Sequence, residues 1–129
     1  MKTFRNIAFV FVVLSLVSAC NNYEFPTPPY ATVETLPVTD ITSTSVTLHG
    51  TLVSLTTDPV LEHGFLWSYA DFDTNSEFKW SLGPKTETGS FDYKLSEDIV
   101  AGKTYYVKAY VKTNGYTFYG QMTTFNRPK

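Results

Sequence analysis

Lys103-Thr104-Tyr105-Tyr106-Val107-Lys108-Ala109-Tyr110-Val111-Lys112 decides the fold class of this chain. Tyr105, Val107, Ala109 and Val111 fall on one side of it, Tyr106, Lys108, Tyr110 and Lys112 on the other. A period of two marks a strand with one face on a core and one toward water, because successive side chains leave a pleated backbone on opposite faces. Asn114-Gly115 follows at once, a pair that tolerates the positive φ of a tight hairpin, so a partner strand from Tyr116 to Phe125 is expected to return antiparallel.

Upstream, the same reading gives five more strands separated by turn residues. Thr32 to Leu36 is the first, and Ser45 to Ser54 sets Val46, Leu48, Gly50 and Leu52 against Thr47, His49 and Thr51. Leu61 to Tyr69 puts Phe65, Trp67 and Tyr69 opposite Gly64, Leu66 and Ser68, a pattern that leaves its inner face undecided. Glu77 to Leu82 gathers Phe78, Trp80 and Leu82, and Gly89 to Leu95 gathers Phe91, Tyr93 and Leu95. Seven short strands with turns between them predict an all-β, antiparallel sandwich over residues 30–126, with a tail at 127–129. The aromatic share of 16% agrees, since flat rings pack well across pleated surfaces.

A chain of 129 residues that is 43% hydrophobic suffices for one domain with a single core. Its formal charge is −2; without Lys2 and Arg5, which lie in a segment expected to be removed, 8 basic residues face 12 acidic ones. That mildly acidic balance argues against a nucleic acid partner, whose phosphates call for clustered Lys and Arg. One cysteine, Cys20, permits no internal disulfide.

Lys2 and Arg5 precede an apolar run from Ile7 to Val17, followed by the small residues Ser18 and Ala19 before Cys20. Positive start, short apolar stretch and small-residue exit make a secretion signal over residues 1–19. Eleven residues at ~1.5 Å each cover about half of a ~30 Å hydrocarbon layer. The stretch Val17-Ser18-Ala19-Cys20 resembles the lipobox of bacterial lipoproteins. That resemblance implies cleavage before Cys20, lipid on its thiol, and a membrane as the first partner. Asn21 and Asn22 stand where the family's inner-membrane retention signal has Asp, which implies the outer membrane or cell surface. Residues 20–29 contain Pro26, Pro28 and Pro29 and read as an extended spacer.

From Pro29 to Phe125 the chain resembles the fibronectin type III family of immunoglobulin-like sandwiches. The matching stretches are Val38-Thr39-Asp40-Ile41-Thr42-Ser43-Thr44-Ser45-Val46-Thr47-Leu48, Glu62-His63-Gly64-Phe65-Leu66-Trp67-Ser68 and Ala101-Gly102-Lys103-Thr104-Tyr105-Tyr106-Val107-Lys108-Ala109-Tyr110, with Tyr119-Gly120 and Phe125 at the end. The resemblance implies that Tyr105 packs inward while its hydroxyl bonds to backbone upstream, the tyrosine corner. Ala101 and Ile99 depart from the family's proline and leucine.

No nucleophile or acid–base grouping with orienting partners is legible, so no catalytic residues and no cofactor are expected. His49 and His63, the two histidines, are expected in opposite sheets, each as a single surface residue. Asp71-Phe72-Asp73-Thr74-Asn75 begins like a calcium loop, but Ser76 replaces the required glycine and Leu82 the bidentate glutamate, so no metal is expected. Tyr106 and Tyr110, outward if Tyr105 is inward, with Trp80 and Phe78 on an adjoining edge, form the candidate ligand-binding platform for a glycan or another surface protein. The bland alternative is that these rings only stabilise a sheet face under lysine stems. The function expected is a non-enzymatic, membrane-anchored binding, adhesion or structural module. The alternative is an accessory lipoprotein of an outer-membrane polysaccharide uptake or degradation system.

Overall fold

A computed structural model describes residues 30–69 and 77–129. The signal segment, Cys20, the spacer and the Asp71–Asn75 stretch lie outside the described residues.

Eight strands are present among the described residues: β1 Thr32–Thr39, β2 Val46–Ser54, β3 Glu62–Ser68, β4 Phe78–Ser81, β5 Gly89–Leu95, β6 Thr104–Lys112, β7 Thr117–Tyr119 and β8 Thr123–Asn126. They form two antiparallel sheets, a three-stranded one in the order β1-β2-β5 and a five-stranded one in the order β4-β3-β6-β7, with β8 also pairing β6. The all-β sandwich expected from the alternation is what the chain forms. Its core collects the inward sets of every long strand: Val46, Leu48 and Leu52 from β2, Phe65 and Trp67 from β3, Phe91 and Leu95 from β5, and Tyr105, Val107, Ala109 and Val111 from β6. β3 thus points its aromatic side inward, the choice its sequence left open.

Two local devices depart from the expected strands: one splits the last strand and makes the count eight rather than seven, and the other lengthens the first. In the expected last strand, Tyr119 pairs with Tyr110 and Thr123 with Val107, so three residues, Gly120 to Met122, oppose two on β6. The extra residue bulges the strand and splits it into β7 and β8. Thr35 of β1 occupies the gap: its Oγ1 accepts the Ala109 N–H at 2.8 Å, while Gly120 N–H donates to the Ala109 carbonyl at 2.8 Å. A Cβ on Gly120 would stand 2.5 Å from Thr35 Oγ1 and 2.6 Å from its backbone nitrogen, so glycine is required by crowding. β1 in turn runs past the expected end at Leu36, because a register shift around Pro37 absorbs the proline at the outer edge of its sheet.

The expected hairpin forms, but not by the expected turn chemistry. Neither Asn114 nor Gly115 has positive φ. The turn is closed by Thr113 N–H donating to the Tyr116 carbonyl at 2.8 Å, with the hydroxyl of the buried Thr113 donating to the same oxygen at 3.3 Å. Tyr105 behaves as expected: it is buried, stacks on Phe125 at 5.3 Å, and its hydroxyl oxygen accepts the Val100 N–H at 2.6 Å.

Candidate functional site: an aromatic cleft between the sheets

The four rings expected to form one platform fall on two faces. Trp80 pairs with Phe65 and Phe78 with Trp67, so both share the inward side of the five-stranded sheet at its β4 edge. Tyr110 pairs with Gly64 and Tyr106 with Ser68, which places them on the outward side. No single ligand contacts all four, because a sheet lies between the pairs.

Tyr110 also departs from the expectation of an accessible ring. It is 1% exposed, with Lys79 Nζ 5.1 Å from its centroid and its hydroxyl donating to Glu62. Lys79 Nζ lies 2.5 Å from the same carboxylate. Burial, together with the hydrogen bond to Glu62, raises the Tyr110 phenol far above its ordinary range, while the bonds from Lys79 and Tyr110 hold the Glu62 carboxyl below the usual value. The reason is register: Gly64, directly opposite Tyr110, has no side chain, and β4 approaches so closely that a Cβ there would meet the Trp80 carbonyl at 1.9 Å. Tyr110 is a packing residue beneath a lysine. Tyr106 is half-buried on the same side.

On the other side, β4 and β5 are edge strands of different sheets, and the space between them is a cleft of about 200 Å³. Trp67, Phe78, Trp80, Tyr93 and Leu95 make its walls, with Lys79 on the β4 side and Glu97 and Asp98 after β5. Trp80 and Tyr93 stack across it at 4.9 Å with planes 16° apart; Trp67 and Phe78 stack at 5.8 Å with the same tilt. Trp80 remains 45% exposed. The Tyr93 phenol is pushed up, first by burial and then by the negative charges of Glu97 and Asp98. Trp67 is 2% exposed and its indole N–H has no hydrogen-bond partner among the described residues. An orphaned donor of this kind costs about 1–3 kcal/mol, so a structure retains it where a ligand or packing compensates. Flat rings beside carboxylates attract cations, with about 0.5–2 kcal/mol per ring contact.

A larger groove of about 430 Å³ runs between β1 and β7, but Thr32, Glu34, Thr35 and Gln121 dominate it and Tyr119 is its one ring. Shape without a convergent chemistry makes it the weaker site.

One constellation escaped the sequence reading. On the outward side of the three-stranded sheet His49 Nδ1 lies 2.6 Å from Asp92 Oδ1 and His49 Nε2 lies 2.6 Å from Thr39 Oγ1. The carboxylate fixes the neutral ring's proton on Nδ1, leaving Nε2 to accept from the Thr39 hydroxyl. Three residues from three strands, spaced 10 and 43 apart, carry no linear motif; only the strand register aligns them. None of the three lines the cleft or the β1–β7 groove. With Asp92 60% exposed, it is a cross-strand hydrogen-bond chain. His63, expected on the surface, is instead buried; its Nδ1–H donates to the Gly83 carbonyl at 2.6 Å and its ring meets Phe91 edge-on at 4.9 Å. The two histidines do lie in opposite sheets.

No protein-family profile matches the chain, and no curated protein matches it. Solved structures do. The sensor domain of the anti-sigma factor RsgI4 of Pseudobacteroides cellulosolvens superposes with a TM-score of 0.61 at 20% identity, over 77% of this chain and 76% of that one. A shorter version of the same sensor domain superposes with a TM-score of 0.62 at 21% identity, over 81% of this chain and 98% of that one. The likeness is one of fold. It corrects the function expected from sequence: these neighbours are sensor domains of a signalling protein, neither adhesion or structural modules nor accessory subunits of a polysaccharide system. The expectation rested on the lipobox-like stretch at Cys20 and on a one-domain sandwich without a catalytic grouping, and a sandwich scaffold by itself selects no function.

Proposed function

We propose that this chain is an extracytoplasmic sensing module, a fibronectin type III-like sandwich tethered to the outer membrane by lipid on Cys20, whose input site is the aromatic cleft between β4 and β5. The observation that carries the reading is the Trp80–Tyr93 stack, which joins the edges of two sheets at a cleft that also exposes Trp80 to a ligand. A ligand seated there contacts both sheets at once, and a ligand that favours one relative placement of the edges shifts the population toward it. That is the physical requirement for a sensor. The same architecture serves as sensor domain in the RsgI4 structures, which supports the assignment.

The sandwich subtype draws support from the strand order, the three-and-five division of strands and the Tyr105–Val100 bond. The tether draws its support from Val17-Ser18-Ala19-Cys20 and the spacer that follows.

The test is transcriptional. Deleting the chain from its host is expected to change expression of a defined gene set, and Trp80→Ala with Tyr93→Ala is expected to reproduce that change while the protein stays at its normal level. An expression profile indifferent to loss of the whole chain refutes the sensing role.

A further inference from the structure

Resting on the reading of the cleft as an input site, we infer that it receives a small organic cation: an ammonium or guanidinium group on a carrier with a hydrogen-bond acceptor. Trp80 and Tyr93 stack on each other, and the open side of the exposed Trp80 ring supplies a π-face to which a cation is attracted and an anion is not. The rim supplies charge. Glu97 and Asp98 line the cleft and are exposed, and neither makes an ion pair among the described residues.

Lys79, the one cation in the lining, does not cancel them. Its ammonium lies 2.5 Å from Glu62 and stands over the Tyr110 ring, both belonging to the outward side of the sheet. The cleft is therefore left with two uncompensated carboxylates beside exposed indole.

The carboxylates are also held in place. Leu95 and Ile99, on either side of them, are buried in the core, and Asp98 adopts φ 56°, a left-handed conformation that aspartate accepts more readily than most residues. A segment pinned at both ends gives up little freedom when a ligand arrives. Trp67 lines the cleft and its buried indole N–H has no hydrogen-bond partner among the described residues, so an acceptor oxygen on the carrier that reaches it gains a bond. The volume, about 200 Å³, corresponds to ~7 waters at ~30 Å³ each, which fits one side-chain-sized group and excludes a folded partner.

The test uses the full chain extracted from its host in neutral detergent, titrated with N-acetyl-arginine methylamide and with its uncharged isostere N-acetyl-citrulline methylamide, and read by tryptophan fluorescence. The cationic probe is expected to bind at least tenfold more tightly than the neutral one. Glu97→Gln with Asp98→Asn, both at exposed positions, is expected to remove at least fivefold of that affinity, and raising salt from 0.05 to 0.5 M to weaken it further. Equal affinity for the two probes, no binding of either at millimolar concentration, or indifference to the double substitution overturns the inference. The transcriptional response to Trp80→Ala with Tyr93→Ala is a separate readout, so the ligand class and the sensing role can fail independently.

Discussion

Thr35→Val tests how the two sheets are joined along their β1 side. Thr35 Oγ1 is the acceptor for the Ala109 N–H at 2.8 Å, and Ala109 is completely buried in the middle of β6. The bulge at Gly120 is the reason that donor needs a side chain from another strand, since the β7–β8 backbone has been carried out of register there. Valine has the shape of threonine without the hydroxyl, so no cavity opens and the loss is confined to one buried N–H left without a partner. Such a loss costs about 1–3 kcal/mol. For a domain of roughly 100 residues each kcal/mol moves the thermal midpoint by about 4–8 °C, so a fall of some 5–20 °C is expected. Thr35→Ser, which keeps the oxygen, is expected to lose less. Amide hydrogen exchange localises the effect: the Ala109 amide should lose protection relative to Val107 and Val111 on the same strand. A Thr35→Val protein with an unchanged midpoint and unchanged exchange at Ala109 would show that the hydroxyl does not hold the sheets together.

Three further outcomes are expected. Tyr105→Phe removes the acceptor for the Val100 N–H and should cost about 1–2 kcal/mol in urea unfolding; wild-type stability would remove the basis for the tyrosine-corner assignment. Tyr110→Ala empties a buried site beneath Lys79 and should lower stability by about 3 kcal/mol, against the near-constant midpoint expected had the ring been accessible; a wild-type midpoint would restore it as a surface residue. His63 has its pKa lowered, first by burial and against the effect of the Gly83 bond, so the folded state resists protonation and the unfolded chain binds the proton more readily. Stability should therefore be fully present above pH ~6.5 and decline as pH falls below it, and His63→Gln should flatten that slope; identical pH profiles for the two proteins would refute the linkage.

Much of the fold was legible because alternation is a local property. The inward sets of β2, β5 and β6 follow from period two alone, and the fully buried residues of these strands are the ones that pattern selects, Tyr110 excepted. Turn chemistry was less reliable. Asn114-Gly115 carries the signature of a left-handed turn, yet the buried Thr113 closes the loop from the strand side and the φ angles stay ordinary. Phe78 and Trp80 were legible as a pair on one edge, since they are two residues apart, but not as part of a cleft, because the opposite wall comes from Tyr93 and the segment through Asp98, in another sheet.

By itself the sequence determined the all-β class, the core faces of most of the long strands and the inward packing of Tyr105, since each of these depends on neighbours one to five residues away. The Val17–Cys20 motif likewise stands in the sequence as the basis for the proposed tether. Tertiary structure alone decided what depends on register between strands: that β3 turns its rings inward, that Gly120 breaks the last strand around Thr35, that Tyr110 lies buried under Lys79, and that Thr39, His49 and Asp92 align. It also decided which aromatic residues can share a ligand. Side-chain spacing along one strand is fixed by the pleat, but the side a ring faces across two sheets is set by pairing, and pairing is a property of the assembled sandwich.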